Sequence, residues 1–129
     1  MSKEPDAELD GLARAVIGAA IEVHRHLGPG FQEKVYEDAL CVELGLRGIA
    51  FERQKAVVVS YKGHEVGSGV IDVLVAGRLV VEMKAVDALL PVHSAQVISY
   101  LKAIGSQLGL LLNFKVPVMK DGTRRVVLS

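Results

Sequence analysis

The sequence predicts one mixed α/β domain, in which a central β-sheet is flanked by helices and the elements follow the order ααβββαββ. Apolar residues recur at helical spacing over residues 7–27 and 32–46. Apolar runs of strand length, bounded by glycine or turn residues, occupy residues 51–85 and 108–114 instead. A chain of 129 residues is long enough for one core. We therefore expect a single domain over residues 7–129, after a disordered tail at residues 1–6.

Two helices are predicted at the start of the domain. The first covers residues 7–27 and ends at Gly28-Pro29-Gly30. The second covers residues 32–46, and its main apolar stripe is predicted at Val35, Ala39, Val42 and Leu46, with an adjacent stripe at Glu33, Tyr36 and Leu40. Cys41 lies in the same apolar pattern and is expected to be a buried, inert thiol.

Three strands, a helix and two further strands follow. The strands are predicted at residues 51–61, from about residue 66 to 75, and at residues 78–85. Gly67 and Gly69 interrupt the second strand, which indicates a bulge or a close approach to the backbone. A helix is expected at residues 92–104, a buried strand at 108–114 and an edge strand at 124–128, with a loop and turn between those two strands.

Composition restricts the class of protein. Fifteen basic and fifteen acidic residues cancel, and the pI of 6.9 gives no sign of a strongly basic nucleic-acid surface. No apolar run reaches the ~20 residues needed to cross a membrane. The polar, acidic start does not resemble a secretory signal, and the lone Cys41 suits a reducing compartment. We expect a cytoplasmic protein without a membrane partner.

Three charges stand inside the apolar hairpin that spans residues 70–86. They are Asp72, Glu82 and Lys84, and burying them is costly unless they have partners. A three-residue loop would pair Val75 with Leu79 and place Asp72 opposite Glu82, on the face that also carries Lys84. A two-residue loop would put the two acids on opposite faces. The first register gives two carboxylates and an ammonium, either as a structural ion-pair cluster or as a site for Mg²⁺ or Mn²⁺.

The same residues resemble a known signature. Asp72, Glu82 and Lys84 are similar to the D…(D/E)-x-K pattern of the PD-(D/E)XK nuclease superfamily, and residues 30–36, GFQEKVY, match the G-x-x-E-x-x-Y motif of its GxxExxY family. The segments LGPGFQEKVYEDAL, VEMKAV, HSAQVISYLKAIG and LGLLLNF are also similar to that family. The resemblance runs from about residue 12 to the C-terminus and implies a nuclease-like core for the mixed sheet.

The resemblance implies a Mg²⁺-dependent (or Mn²⁺-dependent) nuclease that acts on nucleic acid, with DNA favoured over RNA. Asp72, Glu82 and Glu33 would be the metal ligands, and Lys84 would act beside them. Neighbouring carboxylates stabilise an ammonium, so Lys84 is expected to act electrostatically and not as a base. For Glu33 alone, a favourable helix N-terminus is an adequate structural explanation.

The resemblance implies further site residues on the second and third predicted helices. Gln96 would orient an acid or the attacking water, with Tyr100 and His93 in support on the same helix, and Tyr36 would offer its hydroxyl beside Glu33. A solvated polar stripe is the alternative explanation for His93, Gln96 and Tyr100. Family members often carry an arginine two residues before the strand aspartate, where this chain has Val70.

A second function remains open from the sequence. The charged cluster could be structural, and the domain would then be a non-catalytic module that works through self-assembly or partner binding. The Val- and Leu-rich last strands would allow pairing with a second copy, as a homodimer or a higher homo-oligomer.

Overall fold

The computed structural model describes residues 5–128, which form a five-stranded sheet with helices on both faces. The helices are α1 (Ala7–Leu27), α2 (Glu33–Leu46), α3 (Pro91–Ile104) and the short α4 (Met119–Gly122). The strands are β1 (Phe51–Tyr61), β2 (His64–Val75), β3 (Leu79–Lys84), β4 (Leu108–Asn113) and β5 (Thr123–Val127). Within this part of the chain, no helix is long and apolar enough to cross a membrane.

The sheet is mixed, as predicted. Its strand order is β1-β2-β3-β4-β5, and only the β3–β4 pair is parallel. That parallel step needs a crossover, which α3 supplies. The element order differs from the predicted one only by α4, a single helical turn at the position where we expected a loop and a turn.

Each face of the sheet has its own core. On one face, α1 and α2 cover a large apolar cluster that includes Leu9, Tyr36, Leu40 and Phe114. On the other face, α3 covers a smaller cluster centred on Leu101. A functional group at the end of the central strands can therefore receive side chains from α2 on one face and from α3 on the other.

The predicted core stripe of α2 is wrong. Val42 and Leu46 are 64% and 77% exposed, whereas Tyr36, Leu40, Leu44 and the carboxylate-bearing Glu37 are buried. Both stripes have helical spacing, so the periodicity alone could not decide which one faces the sheet. Cys41 is buried as expected, and burial raises the pKa of its thiol.

The predicted disordered tail, residues 1–6, is only partly covered by the structure, because residues 1–4 lie outside the described residues. Asp6 is the N-cap of α1: its Oδ1 accepts a hydrogen bond of 2.8 Å from the Leu9 N–H. Its Oδ2 lies 2.6 Å from an Arg78 guanidinium nitrogen, and this contact lowers the pKa of Asp6. Asp6 therefore joins the start of α1 to the loop between β2 and β3.

Candidate active site

The register of the β2–β3 hairpin is the one that a three-residue loop predicts. Val75 pairs with Leu79 across the loop of residues 76–78, and Val73 pairs with Val81. The same register brings Asp72 beside Glu82. Since Glu82 and Lys84 are two residues apart on β3, they lie on the same face, with Val80, toward α3.

Asp72 and Glu82 are interlocked through each other's backbone. The Asp72 N–H donates to Glu82 Oε2 at 2.7 Å, and the Met83 N–H donates to Asp72 Oδ2 at 3.0 Å. Side-chain oxygens thus accept the hydrogen bonds of N–H groups at the point where the two strands separate. Each carboxylate is thereby fixed in position by the other residue's segment of strand.

The alternation of β2 is interrupted at Asp72. Ile71 packs in the cluster under α3, whereas Val73 packs in the cluster under α1 and α2, although residues two apart on a regular strand share a face. Across the pair, Gln54 of β1 has a φ of 49°, a conformation that non-glycine residues seldom adopt. This irregularity allows the Asp72 carboxylate to reach the end of β3, where it accepts a hydrogen bond from the Met83 N–H.

The surroundings of Asp72 and Glu82 disfavour the ionised form of each carboxyl group. Glu82 is 4% exposed, and burial, followed by the neighbouring Asp72 charge, raises its pKa to about 8. Burial also raises the pKa of Asp72. The Lys84 ammonium opposes both shifts because it stabilises the ionised carboxylates. Carboxyl pKa values that burial and a neighbouring acid shift this strongly are found most often at functional sites.

The loop after Lys84 is held by Asn113, which is 2% exposed at the end of β4. The Val86 N–H donates to Asn113 Oδ1 at 3.1 Å, and Asn113 Nδ2 donates to the Val86 carbonyl at 2.9 Å. The Phe114 N–H donates to the Lys84 carbonyl at 2.9 Å. Asn113 was not among the predicted site residues, because a lone amide closing an apolar run was its only signal.

On the α2 side, Asp72 lines a cavity of about 680 Å³ together with Glu33 and Glu37. Glu33 is exposed, as a residue at the opening of a cavity would be. Glu37 is buried, and its carboxylate accepts hydrogen bonds from Arg53 at 2.7 Å and from Gln54 at 3.0 Å. Glu37 was not among the predicted site residues, although it lies four residues after Glu33 and therefore on the same helix face.

Tyr36 has a different role from the one expected. Its hydroxyl donates to the Gly28 carbonyl and accepts a hydrogen bond of 3.0 Å from the Phe31 N–H, so it is not free for a carboxylate or a substrate. The ring is fully buried and stacks on Phe114, with centroids 4.5 Å apart. The tyrosine of the G-x-x-E-x-x-Y motif therefore fixes the loop that presents Glu33.

The α3 residues approach from the other face of the sheet. Gln96 and Tyr100 line a cavity of about 530 Å³ against the β1–β2 hairpin, which is separate from the cavity of Asp72 and Glu33. Burial, followed by the Glu82 charge, raises the pKa of the Tyr100 hydroxyl. The ring accounts for the glycine at position 69, where a Cβ would lie 2.7 Å from Tyr100 Cε1. His93 Nδ1 accepts from the Leu90 N–H at 2.9 Å and caps α3.

The donor set fits a hard divalent cation. Among residues 5–128, no hydrogen bond occupies Asp72 Oδ1 or Glu82 Oε1, and Mg²⁺ is usually bound through one or two carboxylates with water completing its shell. Over that same range, however, no three His, Cys, Asp or Glu side chains already converge as a metal-binding group. Glu33 thus lies near Asp72, and its side chain would have to reorient to bind a cation together with Asp72 and Glu82.

A comparison with models of protein families agrees with this geometry. The model described as the PD-(D/E)XK nuclease superfamily matches residues 10–126, a segment that contains Asp72, Glu82 and Lys84. Neither a curated protein nor a solved structure matches the chain.

Proposed function

Because the chain belongs to the PD-(D/E)XK nuclease superfamily, we propose that it is a metal-dependent nuclease that hydrolyses phosphodiester bonds. We place it in the GxxExxY group on the residues Gly30, Glu33 and Tyr36, with Mg²⁺ or Mn²⁺ as the cofactor and DNA favoured over RNA. The observation that carries the proposal is the interlock of Asp72 with Glu82 beside Lys84, at the point where β2 and β3 separate.

Asp72 and Glu82 would hold the cation through Oδ1 and Oε1, the carboxylate oxygens that accept no backbone hydrogen bond among the described residues. When bound, a divalent cation lowers the pKa of a coordinated water and neutralises phosphate charge. Asp72 and Glu82 must be ionised to bind it, so the proton that burial keeps on Glu82 has to leave as the cation enters. Glu33, from α2, is proposed as the third carboxylate.

Lys84 acts through its charge. Its ammonium stabilises the ionised forms of both strand acids. The same positive charge is proposed to contact a phosphate oxygen or to orient the attacking water. The Asn113 side chain and the Phe114 N–H fix the strand end that carries Lys84. Gln96 and Tyr100 are proposed to support the acids from the α3 face, and the capping residue His93 to position the start of that helix.

The test is a cleavage assay on single-stranded DNA, duplex DNA and RNA, with millimolar Mg²⁺ or Mn²⁺ and with EDTA. We expect cleavage by the wild type only with metal, and a loss of at least about 100-fold in Lys84→Ala, because one charge-stabilising contact contributes that much to a hydrolytic rate. Lys62→Ala, at the exposed tip of the β1–β2 hairpin, is the matched control and should cleave like the wild type.

If no nucleic acid is cleaved under any of these conditions, or if Lys84→Ala cleaves as fast as Lys62→Ala, the nuclease assignment is wrong. The non-catalytic module would then be the better explanation. Self-assembly and a cytoplasmic location stay predictions, which size-exclusion chromatography and fractionation of the source cells would test.

A further inference from the structure

A second cavity, of about 400 Å³, adjoins the candidate site on the side of the loop that precedes α2. Its lining includes Glu33, which it shares with the cavity of Asp72, and Ala85, which follows Lys84 directly. A polymer whose phosphate lies at the strand acids would therefore extend into this space. Two further residues of the lining, Phe31 and Lys115, give the cavity its chemistry.

Phe31 presents an aromatic ring there, with half of its surface exposed. The loop that carries it is tied down, because the Phe31 N–H and the Gly28 carbonyl both hydrogen-bond to the buried Tyr36 hydroxyl. The Phe31 ring also contacts Tyr36 edge-to-face, with centroids 6.3 Å apart and planes at 70°. An exposed aromatic ring on an anchored loop is a ready platform for a planar group.

Lys115 supplies a cation to the same cavity. Its ammonium lies 2.7 Å from Asp87, and the two side chains are 53% and 91% exposed. Ion pairs this exposed contribute little to stability, so a phosphate can take the place of Asp87 at small cost. A ring for stacking and an exposed cation beside it match the base and the phosphate of one nucleotide.

We propose that Phe31 and Lys115 form a nucleotide subsite next to the reacting phosphate, in which a base stacks on the Phe31 ring and the adjoining phosphate pairs with Lys115. The inference rests on the proposed nuclease function and narrows its substrate. A base inside a duplex has both faces covered by its neighbours, so the subsite takes an unpaired nucleotide. The substrate is accordingly a single strand, or a duplex end or flap that offers one.

Binding measured without cleavage tests this directly. The full chain, with EDTA, is titrated against a short fluorescein-labelled oligothymidylate, using the wild type, Phe31→Leu, Phe31→Tyr and Tyr61→Leu. Phe31→Leu keeps an apolar side chain without the ring, Phe31→Tyr keeps the ring, and Tyr61→Leu removes an exposed aromatic outside the cavity. We expect the Kd to rise about 5- to 150-fold in Phe31→Leu alone.

A second readout is independent of the ring. In Lys115→Gln, the slope of log Kd against log salt concentration should fall in magnitude by about 0.7, the value for one phosphate contact on a single strand. Lys120→Gln, another exposed lysine on the same connection between β4 and β5, should keep the wild-type slope. This comparison still decides the proposal if Phe31→Leu fails to fold.

The outcomes separate the two proposals. If the wild type cleaves but Phe31→Leu binds as tightly as the wild type and the Lys115→Gln slope is unchanged, the subsite is refuted and the nuclease stands. Equal losses in Phe31→Leu and Tyr61→Leu also refute it, because the effect would not be specific to the cavity. If the wild type binds with the predicted Phe31 dependence but never cleaves, the subsite stands and the nuclease assignment falls.

Discussion

The buried Glu82 makes the stability of the metal-free protein depend on pH. Its pKa is about 8 in the folded protein, against an ordinary value of 4.5, so the folded state holds a proton that the unfolded chain releases above pH 4.5. The contribution of this group to stability is therefore full below pH 4.5 and is lost progressively until about pH 8. At 1.36 kcal/mol per pH unit, the loss between about pH 5 and pH 8 is about 4 kcal/mol.

Glu82→Gln should remove that dependence. A glutamine oxygen can still accept the hydrogen bond from the Asp72 N–H, and the neutral amide ends the repulsion between the two acids. Its buried NH₂ group costs about 1–3 kcal/mol at every pH. Relative to wild type, the variant should therefore gain about 4 kcal/mol as the pH rises from about 5 to 8, or about 15 °C in Tm for a domain of this size.

The assay is thermal melting followed by circular dichroism from about pH 5 to about pH 8.5, with EDTA and then with millimolar Mg²⁺ or Mn²⁺. Metal should raise the Tm of the wild type at the upper end of this range and leave Glu82→Gln unchanged, because the variant has lost a ligand. Glu65→Gln, on the exposed hairpin, is the control and should follow the wild type. A wild type whose stability does not fall with pH, or a Glu82→Gln protein that melts well below it at pH 8, would contradict the reasoning.

Two other substitutions test the supports of the site. Tyr36→Phe should lower the free energy of unfolding by about 1–3 kcal/mol, since it leaves a backbone N–H without its acceptor, whereas Tyr61→Phe, on the exposed hairpin, should have no effect in the same urea titration. Gly69→Ala should cost about 1–3 kcal/mol and reduce cleavage, because the new Cβ displaces the Tyr100 ring. A Cβ at position 67 would meet open space, so Gly67→Ala should match the wild type in both measurements. If Gly69→Ala is as stable as Gly67→Ala, the Tyr100 ring does not restrict position 69.

The local chemistry of the hairpin, and the short list of its possible registers, came from the sequence itself. Strand side chains alternate with a period of two, so the loop length decides which residues face each other. The chain allowed two registers, and the structure has the one with Val75 opposite Leu79. The pairing of Asp72 with Glu82, and the placing of Lys84 on the same face as Glu82, depend on residues at most twelve positions apart. Gly67 and Gly69 predicted a bulge or a close approach to the backbone; the approach is at Gly69, and its cause is the Tyr100 ring.

The tertiary structure alone decided how the helices meet this hairpin. The exposed face of α2 carries Val42 and Leu46, and the buried face carries Tyr36 and Glu37, because the partners of the buried face come from distant segments. The buried carboxylate of Glu37 depends on Arg53 and Gln54, which donate hydrogen bonds to it from β1. Such pairings depend on the sum of packing over the whole sheet, whereas a helical period records only that one face is apolar. For that reason the sequence predicted the two strand acids, whereas the docking of α2 and α3 decided which helix residues lie beside them.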